Sequence, residues 1–492
     1  MRFTAALVRT QARNIPQIGL VRGFSGLGAV REVARRGPEV VPQVTQVTTQ
    51  HADHGGKSPA LYDTHRRYHN YLRISLTEKC NLRCVYCMPQ EGIDLSPQPS
   101  LLTTDEILRL SHLFINEGVT KIRLTGGEPT IRKDLEAIVR NIRVNPRLRT
   151  LAITTNGLAL STGGRLDRLL TAGINAINIS LDTLDPLKFP ILTRREGFDR
   201  VMRTIQQCLD AGVKTKVNCV LMRGINDDEV VEFAKFTQDR DLEVRFIEYM
   251  PFDGNRWESK KMVPYMEARS RIESILGPLQ RGRDDEDRVA KTYFVPGFKG
   301  RIAFISSLTD KFCGTCNRVR LTADGHMKVC LFGPQEICLR DIVRGEPSTL
   351  DLVQQLIETL PAEHVQRVLD FSPGDAGASL SSNCSADKQS EYCMDSTCND
   401  PSLATSTFGV ASPSTGPEVA THLILDRTKP SVLETLNKLR SRCFESGTGT
   451  VNYPDHVLRL VISAVLRKKQ PAHAGMDVLK QVKNRPMIKI GG

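Results

Sequence analysis

Six short apolar runs punctuate residues 71–250, and amphipathic stretches of helical pattern lie between them. They read Tyr71–Leu76, Lys121–Thr125, Thr150–Thr155, Ala176–Leu181, Lys214–Met222 and Glu243–Met250, each of strand length. One intervening pattern covers Thr104–Glu117, where Thr104-Asp105-Glu106 can cap the start and Gly118 the stop. Another covers Gly197–Ala211 and ends at Gly212. Strand and helix in alternation predict an α/β fold, with a parallel sheet and helices outside it. An open (β/α)6 barrel and a doubly wound sheet both satisfy that pattern. Glycines and polar residues cluster just after each run. The first is followed by a cysteine-bearing loop, the second by Gly126-Gly127-Glu128-Pro129, the third by Asn156-Gly157 and the fourth by Asp182. Arg223-Gly224 follows the fifth and Pro251 the sixth. Turn chemistry accounts for some of these. Six on one rim match a barrel, whose sites are built from the loops at the carboxyl ends of the strands.

The loop after the first run carries Cys80, Cys84 and Cys87 at C-x3-C-x2-C spacing. A loop this short can fold three thiolates onto one small cluster, and soft thiolates are the preferred ligands of iron–sulfur groups. Three sulfurs on a [4Fe–4S] cluster leave one iron free for a substrate or cofactor. A zinc site would want a fourth ligand, and no histidine or cysteine lies close downstream. A redox C-x2-C pair leaves Cys80 unexplained. The stretch resembles the radical S-adenosylmethionine (SAM) enzymes. In that family a motif like Gly126-Gly127-Glu128-Pro129 holds the SAM amino group. Here Gly126 and Gly127 would let the backbone approach closely, and Glu128 could accept from an amine.

A second triplet, Cys313, Cys316 and Cys330, has the spacing C-x2-C-x13-C with His326 inside it. Spacing alone fits a Cys3His zinc site as well as a second cluster. Arg318 and Arg320 fall on one side of the chain if their segment is a strand, poised for forked hydrogen bonds to phosphate.

Taken together, the two triplets, the glycine motif, the arginine pair and the terminal Gly491-Gly492 resemble the GTP 3′,8-cyclase family of molybdenum cofactor biosynthesis, in its eukaryotic mitochondrial form. The resemblance covers about residues 70–350 and 457–492. It implies an incomplete (β/α)6 TIM-type barrel, closed by a C-terminal segment that carries a second Fe–S cluster. The first [4Fe–4S] cluster, on Cys80, Cys84 and Cys87, would bind SAM and yield a 5′-deoxyadenosyl radical. Tyr86, Gly127, Ser180 and Met250 match SAM-contacting positions. The second [4Fe–4S] cluster, on Cys313, Cys316 and Cys330, would bind the GTP purine. Arg73, Arg123, Thr154, Lys216, Arg318 and Arg320 match GTP-contacting positions, and Lys121 and Arg245 are further basic candidates on the same rim. Lysine and arginine are rarely buried unless paired, so a polyanion inside the barrel explains them; ion pairs with barrel carboxylates are the alternative. The radical would abstract hydrogen from ribose C3′, and C3′ would then attack guanine C8. The catalytic candidates are Arg318, Arg320 and the Gly491-Gly492 tail, which would reach into the site. An electron donor, the enzyme that next makes cyclic pyranopterin monophosphate, and a homodimer are the partners the resemblance suggests.

The net charge of +12 suits nucleic acid, an anionic membrane surface or a phosphorylated substrate. Part of it lies in residues 1–31, which hold Arg2, Arg9, Arg13, Arg22 and Arg31 and no acidic residue. That composition predicts a mitochondrial transit peptide and a matrix protein, with import segment and linker running to residue 65. Aromatic residues make up 5% of the chain, too few for an evident base-stacking surface, and no apolar run has the roughly 18 residues of a membrane span. No nucleic-acid or membrane partner is therefore expected. Thirteen cysteines, six of them in the triplets, point to metal in a reducing compartment. The expected layout is a partial barrel over 66–300, a second-cluster segment over 301–357, a largely disordered atypical insertion over 358–456, and a C-terminal helix and tail over 457–492. Helices are expected within Leu350–Phe371 and Ser431–Ser441. Cys384, Cys393 and Cys398 fall in the insertion at loose spacing.

Overall fold

The computed structural model describes residues 57–283, 289–372, 434, 436–438, 453–479 and 485–490. The import segment up to residue 56, most of the insertion with its three cysteines, most of Ser431–Ser441, and Gly491-Gly492 lie outside the described residues.

Strands β1 (Tyr71–Ser75), β2 (Lys121–Thr125), β3 (Thr150–Thr155), β4 (Ala176–Ser180), β5 (Lys214–Leu221) and β6 (Glu243–Glu248) coincide with the six apolar runs. They pair in sequence order and all in parallel. A doubly wound sheet reverses its strand order at a switch point, so this order selects the partial barrel. Beyond it, β7 (Gln280–Arg281), β8 (Lys291–Phe294) and β9 (Arg301–Ile305) add to one edge, with β9 parallel to β6. At the other edge β10 (Arg318–Leu321) lies parallel to β1, followed by antiparallel β11 (His326–Lys328) and β12 (Glu336–Cys338). The segment with the second triplet thus extends the open side of the barrel.

Alternation along the strands sorts the side chains. Leu72, Ile74, Ile122, Leu124, Ile153, Ile177, Val217 and Val244 belong to the apolar core. The alternate set includes Tyr71, Arg73, Arg123, Asn178, Lys216 and Arg245. Register places Arg73 between Arg123 and Arg320, three arginines abreast on adjacent strands. Like charges directly opposite are unfavourable in a sheet, so this row marks a place built for something negative.

Several boundaries differ from expectation. The first helix is Thr104–Asn116, capped by Thr103 and not Thr104: Glu106 N donates to Thr103 Oγ1 at 3.3 Å and Thr103 N to Glu106 Oε2 at 2.8 Å. The T-x-x-E spacing of a capping box begins one residue earlier, and the Thr104 hydroxyl bonds Asp134. The fold also begins before residue 66. Ala60 and Leu61 are fully buried, and Ser58 caps the 3-10 turn Pro59–Leu61. The polar, proline-bearing composition there reads as linker only because its partners lie far away in sequence. Regular structure also runs past 358, as the helices expected within Leu350–Phe371 require. Leu350–Phe371 forms two helices, Thr349–Glu358 and Ala362–Asp370, with Pro361 capping the second. Leu436 and Tyr453 already lie in the core, and helix Asp455–Leu466 buries most of its residues there. That helix packs on Pro59–Leu61 and on Thr349–Glu358, and His364 and Ser463 share a 2.7 Å hydrogen bond. Among the described residues no helix is long and apolar enough to cross a membrane.

Candidate functional site

The loop after β1 is pinned from several sides. Arg83 N and Val85 N donate to the carbonyls of Thr193 and Leu192, each at 2.9 Å. The Arg194 guanidinium donates to the carbonyls of Arg83 and Met88, and Asn156 Nδ2 to Asn81 Oδ1. So held, Cys80, Cys84 and Cys87 line one cavity with Tyr86, Gly126, Gly127, Glu128, Thr154, Ser180 and Asp182. All three are free thiols. Burial pushes Cys80 up to about 11 and Cys84 well above the ordinary thiol range. A cationic iron centre would reverse that shift, because coordination deprotonates a thiol outright. Among the described residues no histidine lines the cavity, and the donor set fits a thiolate-held cluster.

The glycine motif has a structural task that the sequence does not disclose. Gly127 N donates to Thr77 O at 2.7 Å and Glu128 N to Lys79 O at 2.8 Å. A Cβ on Gly126 or Gly127 would collide with the carbonyls of Thr77 or Lys79, so the pair is needed to dock the cysteine loop. The buried Glu128 carboxylate accepts from Thr155 Oγ1 at 2.6 Å, Asn156 N at 2.7 Å and Thr130 N at 3.1 Å. It ties the rim of β2 to that of β3 and is already engaged, whatever amine approaches.

The second triplet shares a deeper cavity with Tyr71, Arg73, Arg123, Arg245, Met250, Arg318 and Arg320. Cys313 to Cys316 is a 3-10 turn closed by a 3.2 Å bond from Cys316 N to Cys313 O. Burial alone would raise the Cys316 thiol; the cations Lys469, Arg318 and Arg320 outweigh it and hold the thiol below its usual range. Burial, then Arg318, push Arg320 down to about 10, and its Nη1 has no hydrogen-bond partner. His326 is absent from the lining and faces Asp324 at 3.2 Å. His473 does line it, but its ring nitrogens face the carbonyls of Ala474 and Ser307. Among the described residues no three His, Cys, Asp or Glu side chains gather around a point fit for a single metal ion. With His326 turned to Asp324, the Cys3His set that the spacing allows is not assembled among them. In a cubane the three thiolates bind different irons and stand further apart.

Tyr86 and Met487 line both cavities, which are therefore neighbours. Thr154 stands at the first and accepts from Arg123 Nη1 at 3.3 Å. Lys121 does not lie on the carboxyl rim: it is the first residue of β2, so it belongs to the amino end. Its Nζ sits 4.6 Å from the Tyr71 ring centre, and it shares a cavity with Arg123, Arg149, Lys214 and Lys216. Lys216 and Arg245 both bond Glu243, which also takes Arg301. The alternative of ion pairing thus holds for these two, yet three cations share that one carboxylate.

Four residues that line these cavities escaped the sequence reading or received no role in it. Asp182, noted only as a rim residue, hydrogen-bonds Tyr86 and accepts from Val220 N at 2.9 Å; burial raises it to about 6. Arg67 Nη1 donates to Cys313 O at 2.7 Å. Lys469 stands 3.5 Å from Cys316 Sγ. Met487 belongs to the last turn, whose neighbour Arg485 bonds Asp324 at 2.6 Å and Glu336 at 2.6 and 3.1 Å. Nothing local marks any of these; Lys469 ends the run Arg467-Lys468-Lys469, which reads as a solvated charge patch.

Buried His69 underlies this side of the site, with Nε2 3.0 Å from Asp63 Oδ2. Burial lowers it from 6.5 to about 4. Between those values the unfolded chain binds the extra proton, so stability falls as pH drops through the window. Thermal unfolding followed from pH 7 to pH 4 is expected to show this loss, and His69→Gln to flatten it.

Residues 74–237 match the Radical SAM superfamily and residues 242–366 match Molybdenum Cofactor Synthesis C. Molybdenum cofactor biosynthesis protein 1 of Homo sapiens is 51% identical over 324 residues, 66% of this chain and 50% of that protein. The mitochondrial GTP 3′,8-cyclase of Arabidopsis thaliana is 52% identical over 289 residues, 58% of this chain and 74% of that protein. The GTP 3′,8-cyclase of Thermodesulfovibrio yellowstonii is 39% identical over 302 residues, 61% of this chain and 93% of that protein. The chain spans about half the length of the mammalian relatives it matches.

Proposed function

From the premise that this chain belongs to the GTP 3′,8-cyclase family of radical SAM proteins, we propose that it cyclises GTP to (8S)-3′,8-cyclo-7,8-dihydroguanosine 5′-triphosphate, the first step of molybdenum cofactor synthesis. One observation carries the reading: two three-thiol cavities meet at Tyr86 and Met487, and the second is lined by arginines.

Membership of the radical SAM family brings a [4Fe–4S] cluster and SAM, and Cys80, Cys84 and Cys87 are the thiols to hold that cluster. When bound, the cofactors supply a 5′-deoxyadenosyl radical for removing hydrogen from ribose C3′. Tyr86, Gly126, Gly127 and Ser180 line the space for SAM, Met250 stands in the neighbouring cavity, and Glu128 holds the rim in shape. Cys313, Cys316 and Cys330 hold a second [4Fe–4S] cluster that receives the purine. Arg73, Arg123, Arg318 and Arg320 present forked donors to phosphate oxygens. Arg245 lines the same space, and Thr154 meets Arg123 from the first cavity. Phe252 stacks on Phe332 at 6.0 Å and both line this space, an apolar patch in its wall. Ile488, four residues before the chain end, lines the first cavity, and Gly491-Gly492 are assigned to the substrate on the family resemblance. An electron donor must reduce the first cluster, and the enzyme making cyclic pyranopterin monophosphate takes the product. A homodimer is compatible with this arrangement. The mitochondrial matrix is the proposed compartment, on the basic residues 1–31 and the mitochondrial relative of Arabidopsis.

The test uses the full chain reconstituted without oxygen, then given dithionite, SAM and GTP. About eight irons per chain, with 5′-deoxyadenosine formed only in the presence of GTP, is expected. About four irons, with SAM cleaved regardless of GTP, would refute the cyclase reading and leave the radical SAM core.

A further inference from the structure

The buried turn that follows helix Asp455–Leu466 ends in a lysine aimed at the second triplet. Leu466 O accepts from Lys469 N at 2.9 Å, so the helical path continues to that residue. Its neighbours face out, whereas Lys469 is 4% exposed. Its Nζ lies 3.1 Å from Arg318 O, 3.5 Å from Cys316 Sγ and 3.5 Å from His69 Nδ1. An ammonium has three N–H groups and no lone pair, and three acceptors meet it here. The roles follow by elimination. Asp63 can only accept, so His69 Nε2 carries the proton and His69 Nδ1 is free to accept from the lysine.

We infer that Lys469 is a positioning charge of the second triplet, donating to the sulfur of Cys316 and favouring the more reduced state of the cluster held there. The inference rests on the reading that Cys313, Cys316 and Cys330 hold an iron–sulfur cluster. A buried ammonium is costly without a negative partner. Of its three partners one is a carbonyl and one a neutral imidazole; the sulfur alone can carry negative charge. A thiolate-held cluster gains one negative charge on reduction. A fixed cation and a hydrogen bond at a ligand sulfur stabilise that charge and raise the reduction potential. The surroundings hold the lysine in place. Arg67 donates through Nη1 to Cys313 O and Pro471 O, through Nη2 to Gln470 O, and through Nε to Asp63 Oδ2. One arginine thus fastens the chain just after Lys469 to the cysteine turn, and it brings Asp63 under His69.

The test is a redox titration of the anaerobically reconstituted full chain, following both clusters by electron paramagnetic resonance, with iron counted beforehand. Lys469→Met keeps length and removes charge and donors. It is expected to leave the first cluster's couple unchanged and to lower the reduced-to-oxidised ratio of the second about tenfold at a fixed potential, a shift of ~59 mV. Lys469→Arg is expected to restore most of it. Selective loss of the second cluster in Lys469→Met, with Lys469→Arg fully loaded, supports the same assignment. Should Lys469→Met not fold, Lys469→Gln, a neutral donor, must show the downward shift. An unchanged second couple in a fully loaded neutral variant overturns the inference. Wild-type protein carrying only the first cluster overturns the underlying reading and the inference with it, so the two failures are told apart by the wild-type iron count.

Discussion

Replacing Cys84 by alanine is expected to abolish 5′-deoxyadenosine formation and to lower the reconstituted iron from about eight per chain to about four. Cys84 has one of the most buried thiols of the first triplet, and with two ligands left the cavity cannot hold a cubane. The protein should still fold. The loop is held by main-chain bonds to Leu192 and Thr193 and by Arg194, none of which involves the cysteine sulfurs. Iron analysis and chromatography of the products check this. A Cys84→Ala protein that still cleaves SAM would remove the first triplet from the mechanism. Cys316→Ala provides the contrast: it is expected to spare the first cluster and to lose GTP turnover.

Replacing Arg320 by methionine is expected to move binding and stability in opposite directions. Arg320 sits abreast of Arg73, near Arg318, with one guanidinium nitrogen unpartnered. Nucleotide-free protein carries that crowding as a cost. Removing a buried unsatisfied donor should return about 1–3 kcal/mol of stability. With GTP present the balance inverts. Each lost hydrogen bond to phosphate costs about 1.5–3 kcal/mol, roughly ten- to 150-fold in affinity at 1.36 kcal/mol per decade. Arg320→Lys should recover little, since an ammonium cannot reproduce the forked geometry. Thermal unfolding with and without GTP, and calorimetric titration with GTP, measure both effects. A variant that is both less stable and equally able to bind GTP would contradict the assignment. A gain in stability at a cost in function is the pattern expected of a functional site.

How much of this could be read from the chain itself depended on how local the causes are. Each barrel strand was legible to within two residues at its ends, because a strand's limits follow from its own apolar run and the turn residues beside it. Gly126-Gly127 was legible as a motif but not as a hinge against Thr77 and Lys79, since that role needs another segment's backbone. Thr103 displaced Thr104 as cap through the competing partner Asp134, which the helix sequence does not contain. The zinc alternative at Cys313, Cys316 and Cys330 stayed open in the sequence because His326 lies near in number. In space it turns toward Asp324.

The sequence by itself determined the α/β class, the parallel sheet, the two thiol triplets and the basic character of the interior. All of these rest on periodicity, turn chemistry and residue type, which act over a few positions. The tertiary structure alone decided that residues 57–65 belong to the core, that Lys121 stands at the amino end, and that Glu243 gathers Lys216, Arg245 and Arg301. It also decided that Lys469, some 150 residues along the chain from Cys316, comes to rest against its sulfur. Burial and long-range closure put those groups together, and neither leaves a periodic trace in the residues concerned.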